Sequence, residues 1–342
     1  MDKNRRDQIM NKALIIGGSN GIGLAVSLDL IKRGYYAVIV DRCAPDSNNF
    51  PDGSYEYHYC DLLDLDEDLF RSLADDKEIQ VMMITAGFGR VADFEYLHIA
   101  EIRNLMTVNA TSILQIIRIF YDRIKSCDRF YCGVMGSIAG LMSSPMFTIY
   151  SASKAALCRF VESVNIELEV SGTKNRILNV SPASFKGSSF NGGQNNIELM
   201  QDLAGEIVNR IFASECLYIP QYEETFKGVL ERYHNDPHEY GLHSYEYKKS
   251  SGRVFNERKA VIGYIADTFE NIDVKTLDRL KQAKKQCDYL IVGVIADKSS
   301  ISLDDRKHVL SGIKYVDRVI TAEPDYRKAQ EQFGINRIFT EI

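Results

Sequence analysis

Four apolar residues, Ala13-Leu14-Ile15-Ile16, run without a break into Gly17-Gly18-Ser19-Asn20-Gly21-Ile22-Gly23. No other feature constrains the fold as tightly. A run with no polar face reads as a strand buried on both sides, and the glycines allow a sharp turn onto a helix beginning at about Gly21. Missing Cβ atoms let the backbone approach a pyrophosphate, which free N–H groups and the helix dipole can bind. The plain alternative is an ordinary tight turn between strand and helix. Its place at the start of an alternating pattern favours the anion site.

That pattern continues. Short apolar runs at 37–40, 55–60, 81–85, 130–135, 176–180 and 217–219 alternate with stretches of helical spacing such as 24–33, 102–120 and 149–170. Strands apolar throughout, separated by helices, predict an α/β fold with a doubly wound parallel sheet of Rossmann type. Residues 231–259 are polar, aromatic and weakly periodic, and read as a connector. Alternation resumes with a strand at 260–265, a helix at 274–286, a strand at 289–295 and two further helix–strand steps. The expected organisation is a domain over 1–235, a connector over 236–259 and a second, smaller Rossmann-like α/β domain over 260–342. A chain of 342 residues suits two domains.

Composition narrows the partners. With 41 basic against 47 acidic side chains, the net charge of −6 argues against a nucleic-acid partner. No stretch is apolar enough to span a bilayer, and residues 1–12 are charged, without the apolar core of a signal peptide. Seven scattered cysteines, none in a CxxC pair, fit a reduced cytoplasmic setting, with the thiols as small core residues and no metal site.

Asp41 closes the second predicted strand eighteen positions after Gly23, where a carboxylate can bond adenosine ribose hydroxyls. Its charge disfavours a 2′-phosphate and so favours NAD; the adjacent Arg42 leaves NADP possible. The plain reading of Asp41 is a solvated strand end. Tyr150-Ser151-Ala152-Ser153-Lys154 places a lysine one helical turn beyond a tyrosine, on the same face. An unperturbed phenol has a pKa of about 10, and a neighbouring ammonium is expected to lower it. Such pairs are also common on amphipathic helices.

Together these elements resemble the short-chain dehydrogenase/reductase family over roughly the first two-thirds of the chain. Gly17-x-x-x-Gly21-x-Gly23 has that family's spacing, and Ser137, in Gly136-Ser137-Ile138-Ala139-Gly140, lies thirteen residues before Tyr150 as the family requires. Asn109, in Val108-Asn109-Ala110, stands where the family keeps its asparagine. The resemblance implies an NAD(P)-dependent enzyme with Asn109, Ser137, Tyr150 and Lys154 as its tetrad. In it Ser137 polarises the substrate oxygen, Lys154 bonds the nicotinamide ribose, and Asn109 holds a relay water. Taken singly, Asn109 also reads as a helix pin. The family likeness extends the cofactor contacts from Gly17, Ser19, Asn20, Gly21, Ile22, Gly23, Asp41 and Arg42 to Asp61-Leu62, Ala86-Gly87 and Pro182-Ala183, besides Tyr150 and Lys154. Thr85 replaces the usual asparagine before Ala86, Ala183 the usual glycine, and Ile16 the usual threonine.

Residues 141–147 and 184–194 should flank the substrate, with Lys186 a candidate for a phosphate or carboxylate, or simply a solvated lysine. The segment 261–269 with 287–294 and 315–320 looks like a cytidylyltransferase-type nucleotidyltransferase. That family's His-x-Gly-His element is replaced by Asp273-Val274-Lys275-Thr276, so the domain reads as degenerate and inactive, with Asp273 a helix N-cap. Fusion to it suggests a sugar or polyol, free or phosphorylated, as substrate, in the supply of cell-surface polysaccharide. The family implies a homodimer or homotetramer through the helices at 102–120 and 149–170. Two other readings stand beside this one: a nucleotidyltransferase with an accessory reductase, and a non-enzymatic dinucleotide-binding sensor or scaffold.

Overall fold

The computed structural model describes residues 11–183, 196–250, 260–297, 300–323 and 325–340. It divides into two compact units, one of residues 1–97 with 105–257, the other of 98–104 with 258–342.

In the first unit the strands are β1 (Lys12–Ile16), β2 (Tyr36–Asp41), β3 (Tyr55–Tyr59), β4 (Ile79–Ile84), β5 (Tyr131–Met135), β6 (Ile177–Val180) and β7 (Leu217–Tyr218). They pair in parallel in the order β3-β2-β1-β4-β5-β6-β7. The helices between them in the chain are α1 (Gly21–Lys32), α2 (Glu67–Asp75), α3 (Ile99–Met106, whose residues through 104 belong to the second unit), α4 (Ser112–Ile119), α5 (Tyr121–Lys125), α6 (Thr148–Val170) and α7 (Glu198–Phe212); α8 (Lys227–Asn235) and α9 (Pro237–Ser250) follow β7.

The apolar runs are explained by two-sided burial. Leu14, Ile16, Val38, Val40, Met82 and Ile84 face one layer, against Phe70, Ile113, Ile116, Leu157 and Val161. Ala13, Ile15, Ala37, Ile39, Val81 and Met83 face the other, against Leu24, Leu30, Leu203 and Ile207. Alternate residues of these three inner strands therefore serve opposite cores, and neither set can be polar. Strand order reverses between β1 and β4, which opens a crevice at their C-terminal ends.

The second unit is a four-stranded parallel sheet in the order β10-β9-β8-β11, formed by β8 (Ile262–Asp267), β9 (Tyr289–Ile295), β10 (Arg318–Ala322) and β11 (Arg337–Ile338). Its helices are α10 (Val274–Lys285), α11 (Leu303–Ser311) and α12 (Tyr326–Phe333). Asp317, 7% exposed, gathers three donors: Arg103 at 2.6 Å, Lys284 at 2.7 Å and the Leu290 amide at 2.6 Å. Arg103 belongs to the 98–104 segment, which this unit takes from the middle of the chain.

Three expectations need correction. Residues 102–120 are not one continuous α-helix: α3 passes through a π-helical turn at Thr107–Thr111 before α4, a wider turn that takes in an extra residue and in which Asn109 is buried. The weakly periodic stretch from 231 is helical through Ser250; its inward positions are mostly polar, so no apolar stripe announces it. The cysteines are all free, but Cys43, Cys127 and Cys216 are exposed rather than in the core, since each falls in a turn outside the strands and helices. Lys186, the rest of 184–194, and 251–259 of the connector lie outside the described residues.

Candidate active site

The glycine turn is packed so closely that side chains are excluded at Gly17 and Gly23. Gly17 has φ +87°, and a Cβ there would lie 2.5 Å from the Ala86 nitrogen. At Gly23 it would lie 2.1 Å from the Gly17 carbonyl oxygen and 2.4 Å from Thr85 Oγ1. The ends of β1 and β4 are zipped together, as the Thr85 and Ala86 amides both donate to the Ile16 carbonyl, at 2.8 and 3.1 Å. Thr85 Oγ1 also donates to the Ile16 and Gly17 carbonyls, at 3.1 and 3.0 Å, which explains a hydroxyl at this position. The turn delivers Asn20 as the N-cap of α1 without a side-chain capping bond, and the first turn carries no acid. Its leading amides around Gly21 and Ile22 therefore suit an anion.

Asp41 braces this turn. Its carboxylate accepts from the Ser19 amide at 3.1 Å and the Cys43 amide at 3.3 Å, while Ser19 Oγ donates to the Cys43 carbonyl at 2.7 Å. Arg42 beside it is exposed. Asp61 closes an Asx turn onto the Leu63 amide at 3.0 Å. Leu62 is buried and its carbonyl accepts from Ser112 Oγ at 2.6 Å.

Ser137 follows β5 and Tyr150 stands in the first turn of α6; their hydroxyls hydrogen-bond. Ser137 Oγ also lies 3.4 Å from the Pro182 carbonyl, which accepts from the Ile138 amide as well. Ala183 is half-buried just beyond. Lys154, 2% exposed, donates to the Met135 carbonyl at 2.7 Å and has its Nζ 5.8 Å from the Tyr150 ring centroid. Burial raises the Tyr150 pKa to about 12 and lowers that of Lys154 to about 8. The phenol is thus raised by its own desolvation, against the lowering expected from the lysine, and the Ser137 hydrogen bond offsets that only in part.

Asn109 is fully buried and pins the neighbouring loop. Its Nδ2 donates to the Phe88 carbonyl at 2.8 Å and to Ser153 Oγ at 3.1 Å, and its Oδ1 accepts from the Phe88 amide at 3.0 Å. A Cβ on Gly87 would lie 3.1 Å from Asn109 Oδ1 and 3.3 Å from Lys154 Nζ, so both side chains close on this one glycine. Ser137, Tyr150 and Lys154 thus form one cluster, with Asn109 adjoining it through Gly87 and Ser153.

The sequence model of the short chain dehydrogenase family matches residues 11–196. The chain belongs to that family. Among curated relatives it is 30% identical over 162 residues to dehydrogenase RED2 of Cochliobolus heterostrophus, covering 45% of this chain and 60% of that one. It is 24% identical over 173 residues to a very-long-chain 3-oxoacyl-CoA reductase of Emericella nidulans, covering 47% and 50%. The chain thus spans half to three-fifths of the length of these relatives. A short-chain dehydrogenase of Sphingobium yanoikuyae in complex with NADPH shares the fold at a TM-score of 0.53 and 21% identity, over 66% of this chain and 96% of that one. One of Burkholderia phymatum in complex with NAD does so at 0.56 and 18%, over 67% and 94%.

Three features of this short-chain dehydrogenase carry no signal in the motif. Ser153 links Asn109 to the Tyr150 carbonyl, to which its Oγ donates at 2.7 Å. Phe147 stacks on Tyr150 with ring centroids 4.2 Å apart and 21° between planes. Ser151 Oγ donates to the Ala139 carbonyl at 2.6 Å, tying the Ser137 turn to α6. Serines and a phenylalanine at such positions look like ordinary helix residues until the fold brings them together. Among the described residues, no group of His, Cys, Asp and Glu is gathered as a metal would need, and no helix is long and apolar enough to cross a membrane.

Proposed function

We propose that this protein interconverts a carbonyl and an alcohol by hydride transfer, as an NAD(P)-dependent oxidoreductase. The observation that carries the reading is the buried Ser137–Tyr150 hydrogen bond with Lys154 one helical turn on. When bound, NAD(P) supplies or accepts the hydride. Tyr150, protonated at neutral pH, donates to the developing alkoxide in the reductive direction, and Ser137 polarises the substrate oxygen. Lys154 holds the nicotinamide ribose, while Asn109 keeps Phe88 and Gly87 out of its way. The turn from Gly17 to Gly23 takes the pyrophosphate. Asp41 takes the adenosine ribose, favouring NAD, with the exposed Arg42 as the feature that admits NADP.

The substrate reading is a sugar or polyol, free or phosphorylated, in supply of a cell-surface polysaccharide. It draws on the second unit as an inactive nucleotidyltransferase relative, in which Asp273 caps α10 by accepting from the Thr276 amide at 2.9 Å. A 3-oxoacyl thioester is the second reading, favoured by the named activity of the fungal relatives. Exposed Ile166 and Val170 on α6 support a homo-oligomer. Incubation with NADH or NADPH and a panel of ketoses, aldoses, their phosphates and 3-oxoacyl thioesters tests the proposal, with Tyr150→Phe as control. Cofactor oxidation by one class, lost in the variant, supports the reading. Calorimetric cofactor binding without turnover on any member would favour a sensor or scaffold.

A further inference from the structure

The family match ends at residue 196, yet α9 packs onto the loop that joins the catalytic serine turn to the catalytic tyrosine helix. Tyr240, Gly241, Ser244, Tyr245 and Lys248 form its inward face, at helical spacing, while Leu242 and Tyr247 point outward. From that face Tyr240 Oη lies 3.0 Å from Met142 Sδ, and Tyr245 hydrogen-bonds Asp93. Lys248 Nζ donates to Ser144 Oγ at 2.6 Å and to the Pro145 carbonyl at 2.8 Å.

The residue after Pro145 is strained. Met146 has φ +61°, a left-handed conformation that a side chain makes unfavourable, and such residues persist only where their surroundings hold them. Its carbonyl accepts from the Ala92 amide at 2.7 Å, and the next residue is Phe147, stacked on Tyr150. Lys248 thus grips the loop on one side of the strained residue, and the ring that packs on the catalytic phenol lies on the other. Burial lowers its pKa to about 8, which marks an amine withdrawn from water.

We propose that Lys248 is a positioning residue for Tyr150, acting as the latch by which the strap α9 holds residues 144–147 and their aromatic wall in place. The inference rests on the proposed oxidoreductase function for its kinetic consequence, but the latch itself is measurable without a substrate. Lys248→Met removes the donor while keeping the apolar stem. Lys248→Arg keeps a cationic donor, and Ser144→Ala removes one acceptor with the lysine intact.

Hydrogen–deuterium exchange would be followed for amides 141–149 in the NADH-loaded full chain, beside NADH affinity by calorimetry and kcat and KM on whichever carbonyl the panel identifies. Loss of a charge-assisted hydrogen bond predicts exchange about tenfold faster in Lys248→Met, a smaller rise in Ser144→Ala, and rescue in Lys248→Arg. Cofactor affinity should stay within about twofold, and kcat should fall about tenfold with a lesser change in KM. Wild-type exchange in both Lys248→Met and Ser144→Ala would overturn the latch, as would loss of cofactor affinity in Lys248→Met, which would reveal a merely structural lysine. A wild type that binds NADH but turns over nothing would remove the oxidoreductase reading alone, since the exchange still decides the latch.

Discussion

The two units run their first strands along the same path and end them in opposite ways. In the order β3-β2-β1-β4 of the first and β10-β9-β8-β11 of the second, the strand that begins each unit lies inside its sheet, and the fourth returns to its far side. After β1 the chain enters a glycine turn, where Gly17 and Gly23 leave no room even for a Cβ. β8 ends on Asp267, Thr268-Phe269 follow, and the turn is filled. Phe269 is buried in the core at φ +50°, Asp267 pairs with Arg279, and Arg306, 2% exposed, donates to the Thr268 carbonyl and bonds Asp297 at 2.8 Å. The same sheet path therefore ends in a turn with room for a close backbone approach in one unit and in a turn filled by side chains in the other.

The largest effect is expected where the first unit adds chemistry to its glycine turn. Tyr150→Phe keeps the Phe147 stack and the helix but removes the proton donor, and should lower kcat about 10³-fold with NADH affinity nearly unchanged. Steady-state kinetics beside calorimetry check this; activity within about tenfold of wild type would move catalysis to another group. Next comes Gly23→Ala. A methyl 2.1 Å from the Gly17 oxygen must displace the turn, so NADH binding should weaken by about 100-fold or more by calorimetry, whatever the substrate. Unchanged affinity would mean that the cofactor does not use this turn.

The central strands are legible in the sequence because burial on two faces leaves an almost unbroken apolar run, as at 13–16 and 37–40, and 289–295 coincides with β9. The glycine spacing and the cluster of Ser137, Tyr150 and Lys154 are legible as a candidate site because each lies in a short motif of fixed spacing. What stays hidden depends on folding. The π-turn at Asn109 changes no residue type, and the 98–104 segment is continuous with its neighbours although it belongs to the second unit. Lys248 meets Ser144 across 104 residues, from a helix whose inner face is mostly polar, so neither periodicity nor motif marks it. The pKa of Tyr150 departs from expectation for a related reason: helical spacing predicts the lysine's proximity, but the burial that raises the phenol belongs to the fold.

The comparison can also be tested from the other side, by emptying the filled turn. Phe269→Gly relieves a left-handed backbone but removes a buried ring, and the lost packing outweighs the relief. The second unit should lose about 3 kcal/mol, seen as earlier proteolysis or unfolding of residues 260–340, while NADH affinity and stoichiometry remain those of wild type. A second equivalent of bound NADH in this variant would show that removing side chains alone creates a site on this sheet path, whatever other residues surround it.

The smallest expected effect comes from the buried cation that the first unit carries beside its turn. Folding lowers the Lys154 pKa from 10.5 to about 8 because burial disfavours the ammonium. Between those values the unfolded chain holds a proton at this lysine that the folded chain has released, so stability rises with pH across the window. Below about pH 8 both states are protonated and the full cost of the buried ammonium is felt. Thermal unfolding of wild type and Lys154→Met, compared at about pH 7.5, 8.5 and 9.5, isolates this group from the rest of the titration. Wild type should gain on the variant as pH rises, by at most about 1.4 kcal/mol per unit, or a few degrees in Tm. A gap that stays flat would mean the lysine keeps its ordinary pKa in the fold, and that the bond to the Met135 carbonyl compensates its ammonium for the water it has lost.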